Sequence, residues 1–198
     1  MSTGILLSGG IDSIALAYWK RPRFAFTVDY GQVCAAAEIR ASLAASKAIG
    51  LEHHVITSNC CASGSGDLAN AAPLAIAPMP EWWPFRNQLL VTVAGMSALS
   101  LGVTHLISGS VASDSIHIDG SVDFYSNLDR LMSMQEGHLR VSAPAIDLTS
   151  AELVRKSGVP MEILCWAHSC HRSVWACGAC RGCSKHYSVM EELGYAPY

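Results

Sequence analysis

A glycine- and serine-rich segment near the N-terminus has the composition of a phosphate-binding loop. It follows an apolar run at residues 4–7 and precedes a helical pattern, so it would join a strand to a helix. Glycines let the backbone approach an oxyanion, serine hydroxyls donate hydrogen bonds, and a helix N-terminus offers free N–H groups. The sequence therefore predicts a polyphosphate site here. The segment consists of Ser8, Gly9, Gly10, Ile11, Asp12 and Ser13.

The acidic residue of this loop separates it from the common nucleotide-binding loops. A Walker A loop carries a lysine after its last glycine, and the G-x-G-x-x-G spacing of dinucleotide-binding loops is also missing. Beside a polyphosphate, Asp12 is expected to act chiefly as a ligand for Mg²⁺. The alternative is an ordinary strand-to-helix turn in which Asp12 and Ser13 only cap the helix.

Four of the eight cysteines form a second chemical group near the C-terminus. Their C-x₆-C-x₂-C-x₂-C spacing lets thiolates converge on one ion, as in tetrahedral Cys₄ zinc sites. Because protein ligands fill all four positions, the pattern predicts a structural Zn²⁺. An iron–sulfur cluster and unrelated buried thiols are the alternatives. The four residues are Cys170, Cys177, Cys180 and Cys183.

The elements that must position these groups alternate along the chain. Apolar runs predict buried strands at residues 4–7, 24–28, 54–57 and 105–107. Helical patterns lie between and after them, at residues 12–20, 35–49, 87–101, 124–134 and 151–156. This order predicts an α/β fold with a doubly wound, mainly parallel, Rossmann-like sheet, which binds ligands beyond the carboxyl ends of its strands.

The length of 198 residues suits one main core with a small appended module. We predict a nucleotide-binding domain over residues 1–160 and a C-terminal Cys₄ zinc module over residues 161–198, packed on it. Residues 60–84 are rich in Ser, Gly, Ala, Asn and Pro and predict a long surface loop or lid. Residues 111–122 form a second irregular stretch after the fourth predicted strand.

Composition and charge exclude several classes of protein. Apolar residues make up 51% and charged residues 15%, which excludes a disordered chain. Thirteen basic residues and a net charge of −3 do not provide a nucleic-acid-binding surface. The uncharged stretch at residues 88–103 is short for a bilayer and predicts a buried helix. With no visible secretory signal, we expect a cytoplasmic protein without membrane or nucleic-acid partners.

The loop resembles the pyrophosphate loop of the N-type ATP pyrophosphatases, which adenylate a substrate and release pyrophosphate. Further segments narrow this resemblance to the QueC, or 7-cyano-7-deazaguanine synthase, family. They occur in the family's order, at residues 28–32 (VDYGQ), 86–87 (RN), 143–149 (APAIDLT) and in the cysteine cluster. The resemblance implies an adenine nucleotide alpha hydrolase-like fold, an ATP-dependent carbon–nitrogen ligase, and Zn²⁺ in the cysteine cluster.

The resemblance also implies roles for individual residues. Ser8, Asp12 and Ser13 would act on the triphosphate of ATP with Mg²⁺, and Arg86 would act at the junction of nucleotide and substrate. The remaining nucleotide-binding positions outside the loop would be Val28, Asp29, Tyr30 and Gly109. Substrate-binding positions would be Arg86, Asn87, Asp119 and Phe124. Among these, Asp119 is expected to accept hydrogen bonds from a guanine-like edge, and Phe124, Trp82 or Trp83 to stack on the ring.

Three departures from the family pattern affect the same site. Residues 117–124 keep the aspartate and phenylalanine of the family segment but lack its arginine. One family lysine is replaced by Ser150, and a second is absent from residues 133–139. Arg140 and Arg155 are the candidates to replace these lysines, although a planar guanidinium does not act as a point charge.

The family reaction adenylates the carboxylate of 7-carboxy-7-deazaguanine, forms an amide with ammonia and dehydrates it to 7-cyano-7-deazaguanine in a second activation. An alternative is a QueC-like enzyme of a bacterial defence system that conjugates the acyl group to a protein amine. A third hypothesis is a non-catalytic nucleotide-binding scaffold. The resemblance also implies a homodimer.

Overall fold

Five short strands form a parallel sheet at the centre of the computed structural model, which describes residues 2–196. They are β1 (Thr3–Leu6), β2 (Phe24–Asp29), β3 (Glu52–Thr57), β4 (His105–Ile107) and β5 (Arg140–Ser142). Their order is β3-β2-β1-β4-β5, and every neighbouring pair is parallel. The strand order therefore reverses between β1 and β4, the place where open α/β sheets bind ligands.

Helices cover both faces of the sheet. They are α1 (Ile11–Lys20), α2 (Ala35–Ile49), α3 (Arg86–Ser100), α4 (Val122–Ser133), α5 (Ser150–Ser157), α6 (Met161–Leu164) and α7 (Arg181–Glu192). One apolar cluster joins the sheet to α1, α2, α5, α6 and α7, and a second joins it to α3 and α4. The predicted doubly wound α/β fold is confirmed.

The strand sequences explain why the sheet is covered on both faces. Five of the six residues of β2 are buried, as its nearly continuous apolar run predicts. The one hydroxyl within this run, on Thr27, donates to the carbonyl of Leu7 at 2.6 Å, so burial leaves it satisfied. β3 lies at an edge of the sheet and exposes about half of its length, which suits its polar residues.

Helix ends follow local signals that the sequence displays. α2 ends at Gly50, whose φ of 83° places it in the left-handed region. α5 begins with a capping box, in which the Thr149 hydroxyl accepts from the Glu152 N–H and the Glu152 carboxylate accepts from the Thr149 N–H. Among the helices of residues 2–196, none combines the length and apolar character that crossing a bilayer requires.

The C-terminal tail shares its core with the sheet domain. Leu164, Val189 and Met190 belong to the same apolar cluster as Ile14 and Leu16 of α1. The tail therefore has apolar contacts with the main core as well as a cysteine cluster of its own. α7 was not predicted, because its first turn overlaps the metal-ligand pattern and contains Cys183.

The segment between β3 and α3 is irregular, as its composition predicts. Its regular structure is limited to two 3₁₀ turns, at Cys61–Ser63 and Asp67–Ala69. Leu68 and Trp83 anchor the segment by packing into the apolar cluster beneath α3. Gly66 has a φ of 66°, and a Cβ atom there would lie only 2.0 Å from the Pro80 carbonyl oxygen. The segment is thus anchored at its two ends, whereas its middle, at residues 70–80, is largely exposed.

Candidate active site

A cavity of about 280 Å³ opens beyond the carboxyl ends of β1, β2 and β4. Its wall combines the phosphate-loop segment, the end of β2, the start of α3 and the loops after β4. The C-terminal tail supplies the remaining side, including Arg181 and Lys185 of α7. The cavity therefore lies where the fold predicts a ligand site, but one of its sides comes from the tail.

The phosphate loop is closed by its own hydrogen bonds. The hydroxyls of Ser8 and Ser13 lie 3.2 Å apart, and the Ser13 hydroxyl donates to the Gly10 carbonyl at 3.0 Å. Gly9 has a φ of 80°, and a Cβ atom there would lie 2.8 Å from the Cβ of Ala41. Only glycine suits this position. The cavity is lined by Ser8, Gly10, Ile11, Asp12 and Ser13, whereas Gly9 supports the turn behind them.

Asp12 forms an ion pair with a lysine from the opposite end of the chain. Lys185 Nζ lies 2.8 Å from Asp12 Oδ2 and 3.2 Å from Asp114 Oδ1. Burial alone would lower the pKa of Lys185, but the two carboxylates raise it above its ordinary value, so the side chain stays charged. Asp12 Oδ1 is buried and has no hydrogen-bond partner within residues 2–196.

Three of the predicted nucleotide-binding positions lie at the end of β2 or directly after it. Val28 and Tyr30 line the cavity, whereas the Asp29 carboxylate accepts from the Gly31 N–H at 3.0 Å and lies outside the lining. Tyr30 packs edge-on against Trp83, with ring centroids 4.9 Å apart. Burial raises the pKa of Tyr30 above its ordinary value, so the phenol is neutral.

Gly109 brings the loop after β4 close to the phosphate loop. A Cβ atom on Gly109 would lie 3.2 Å from Ser13 Cα, so a side chain here would press the two loops apart. Gly109 also lines the cavity.

The start of α3 is held by the loop that precedes α4. The Asn87 N–H donates to Asp119 Oδ2 at 3.3 Å, and the Asn87 side chain donates to the Asp119 carbonyl at 2.8 Å. Asp119 thus satisfies a free N–H group at the N-terminus of α3. Arg86, the first residue of this helix, lines the cavity beside both residues.

The structure brings Tyr125 to the cavity in place of the predicted Phe124. Phe124 is absent from the lining and packs into the apolar cluster beside the Tyr125 ring, with centroids 5.4 Å apart. Tyr125 lines the cavity, and its hydroxyl lies 2.8 Å from Ser108 Oγ and 2.7 Å from Ser110 Oγ. Neighbouring helix positions are rotated by about 100°, so only one of the two aromatic residues can face the cavity.

The four cysteines predicted as metal ligands converge behind the cavity. All four Sγ atoms lie within 4.8 Å of one another, with Cys170 to Cys180 at 3.9 Å and Cys177 to Cys183 at 4.0 Å. Four thiolates bound at about 2.3 Å to one tetrahedral ion would lie about 3.8 Å apart. The donor set therefore fits a single metal ion.

Comparison with known proteins agrees with the geometry. Residues 3–194 match the family described as queuosine biosynthesis protein QueC. The chain belongs to the QueC family. A 7-cyano-7-deazaguanine synthase of Desulforudis audaxviator is 31% identical, with 96% of both chains covered. The enzyme of the same name from Methanosarcina barkeri is 28% identical, with 96% of this chain and 93% of the relative covered.

A solved structure shares the fold of this QueC family member. It is the U34-tRNA thiolase NcsA from Methanococcus maripaludis with its [4Fe-4S] cluster, which aligns with a TM-score of 0.55 at 16% identity. The alignment covers 98% of this chain, which spans 65% of the length of that structure. The resemblance supports the α/β fold.

The expected replacements for the QueC lysines lie outside the cavity. Arg140 donates to both carboxylate oxygens of Asp129, and Arg155 pairs with Glu192 at 2.9 Å. Neither arginine lines the cavity, so the expectation that they replace the family's lysines is wrong. The tail instead brings Lys185 to the cavity wall. No local signal in the sequence pointed to Lys185, because it lies 173 positions from Asp12 and in a helix that was not predicted.

Proposed function

We propose that this QueC family member is an ATP-dependent carbon–nitrogen ligase that converts 7-carboxy-7-deazaguanine to 7-cyano-7-deazaguanine. One observation carries the proposal: a phosphate-type loop and the cationic side chains of Arg86 and Lys185 face one cavity at the switch point of the sheet. The names of the curated relatives support the choice of substrate.

The proposed reaction has two activations. In the first, the substrate carboxylate attacks the α-phosphorus of ATP, which releases pyrophosphate and leaves an acyl adenylate. Ammonia then forms a C–N bond to the acyl carbon, and AMP leaves. In the second, the amide oxygen attacks another ATP and releases pyrophosphate. Loss of AMP and of the two N–H protons then yields the nitrile.

The contribution of this chain is positional and electrostatic. Ser8, Ser13 and the N–H groups at the start of α1 would hold the β- and γ-phosphates, as helix N-termini hold oxyanions. Lys185 and Arg86 would stabilise the negative charge that develops as pyrophosphate leaves. The unpaired Oδ1 of Asp12 is an oxygen donor that fits the Mg²⁺ of ATP.

We assign Zn²⁺ to the cysteine cluster and give it a structural role. Four sulfurs within 4.8 Å of one another suit one ion, whereas an iron–sulfur cluster distributes its four cysteines over two or four irons and separates the sulfurs further. Cys180 immediately precedes α7, which carries Arg181 and Lys185 into the cavity wall. The metal would therefore fix the helix that supplies the site's cations. Cysteines that bind a metal rather than form disulfides fit a reducing cytoplasm.

Product masses test this proposal. Zinc-loaded protein incubated with 7-carboxy-7-deazaguanine, ATP, Mg²⁺ and ammonium is expected to give AMP, pyrophosphate, the amide and finally the nitrile. Omitting ammonium should stop product formation after the first pyrophosphate release. Hydrolysis of ATP without any change in the mass of the deazaguanine would contradict the proposal. A deazaguanine mass attached to an added protein would identify the protein-conjugating alternative.

A further inference from the structure

A second, much smaller chamber lies beside the main cavity. Its volume is about 10 Å³, and it is lined by Glu81, Trp82, Trp83, Arg86, His117 and Asp119. Four of these residues, Glu81, Arg86, His117 and Asp119, also line the main cavity. A volume of this size holds the centre of about one water-sized molecule. The chamber can therefore hold a molecule as small as water or ammonia next to the proposed substrate.

Glu81 brings an unsatisfied carboxylate oxygen to this chamber. The residue is only 3% exposed, and its Oε1 accepts from Arg181 Nη1 and lies 3.3 Å from His117 Nε2. Burial opposes ionisation of Glu81, but the hydrogen bonds with His117 and Arg181 bring its pKa down to about 2. Oε2 is buried and has no partner within residues 2–196. An ionised, buried oxygen without a donor is costly, so the chamber favours a guest that donates N–H or O–H groups.

The other polar groups of the chamber complete a set of acceptors. His117 Nδ1 is also buried without a partner in the part of the chain that is described. His117 Nε2 lies 3.3 Å from Glu81 Oε1 and 3.2 Å from Arg181 Nη1. In the tautomer that donates Nε2–H to Glu81, Nδ1 carries a lone pair and accepts a hydrogen bond. Asp119 supplies a third acceptor. The carboxylates of Glu81 and Asp119 are balanced by the guanidinium groups of Arg86 and Arg181, so the chamber suits a neutral guest.

We propose that this chamber binds ammonia and presents it to the acyl adenylate; the inference rests on the proposed function and assigns its amine site. Ammonia offers three N–H groups to the three acceptors, one more than water offers. In the transfer step, the nitrogen lone pair forms the C–N bond, the C–O bond to AMP breaks, and His117 Nδ1 takes the released proton.

Kinetics of the zinc-loaded enzyme with Glu81→Gln test the assignment. The amide retains an oxygen for Arg181 but lacks the second carboxylate oxygen that accepts from ammonia. The KM for ammonium, divided by the KM for ATP, is expected to rise about tenfold or more. Glu136→Gln, at an exposed position, is the matched control. An unchanged ratio of the two KM values would overturn the proposal and would indicate that the chamber holds an ordinary structural water.

A second measurement needs no variant and stays decisive if Glu81→Gln does not fold. Methylamine offers only two N–H groups to the three acceptors, so wild-type enzyme should favour ammonium by about tenfold or more in kcat/KM. Equal use of the two amines would overturn the ammonia chamber. Failure of wild-type enzyme to exchange labelled pyrophosphate into ATP when deazaguanine carboxylate is added would overturn the proposed function as well. The two failures are therefore distinguishable.

Discussion

Replacement of Cys180 with serine is expected to abolish zinc binding and to lower the free energy of unfolding by about 3 kcal/mol or more. Cys180 is buried among the other three thiols, and its Sγ also accepts from the N–H groups of His171 and Cys183. Loss of one ligand removes metal-coupled stability and releases the start of α7. Elemental analysis and denaturant unfolding measure the two effects.

Cys165→Ser is the control for this prediction. Cys165 is exposed and lies outside the cluster, so its replacement should change stability by less than about 0.5 kcal/mol and leave the zinc content unchanged. A Cys180→Ser protein that is stable and well folded but inactive would indicate a catalytic metal. Stoichiometric iron with acid-labile sulfide in the wild-type protein would show that the site holds a cluster.

Lys185→Ala is expected to lower the rate of pyrophosphate release by about 100- to 1000-fold. The Lys185 ammonium is the cation that the structure places beside Asp12 and the phosphate loop. Its removal takes away charge stabilisation at the leaving pyrophosphate and leaves Asp12 without its partner. Lys185→Arg should recover only part of the rate, because a guanidinium differs in shape and reach.

Arg140→Ala and Arg155→Ala are the matched controls. Each removes one cation from a surface ion pair outside the cavity, so pyrophosphate release should remain close to the wild-type rate. Wild-type activity in Lys185→Ala, or a comparable loss in Arg155→Ala, would contradict the assignment of Lys185. Circular dichroism of each variant separates loss of chemistry from loss of fold.

Local signals in the sequence predicted much of the framework. The strand, the paired glycines and the serines at residues 4–13 occur within one short segment, so the loop is recognisable without any knowledge of the fold. The same holds for the capping box at the start of α5 and for the cysteine spacing. β5 was missed because its sequence, RVS, contains a single apolar residue and so gives no apolar run, and its place in the sheet comes from pairing with β4.

Long-range contacts of the site could not be predicted from such signals. Lys185 meets Asp12 across 173 positions of sequence, and Arg181 meets Glu81 across 100. The metal-ligand pattern accounted for the cysteines of the tail. It did not show that Arg181 and Lys185 of the same tail line the cavity. The choice between Phe124 and Tyr125 depends on the rotation of one helix against its neighbours, which a phenylalanine at the expected position does not reveal.

The central claim is that this chain activates a carboxylate with ATP, and carboxylate-dependent ATP–pyrophosphate exchange tests it most directly. The assay needs only the zinc-loaded protein, ATP, Mg²⁺, labelled pyrophosphate and the acid, so it is independent of the amine acceptor. The account predicts that label enters ATP when 7-carboxy-7-deazaguanine is present and that omission of the acid stops the exchange. Absence of exchange with the acid present, in protein that is folded and carries its zinc, would contradict the account.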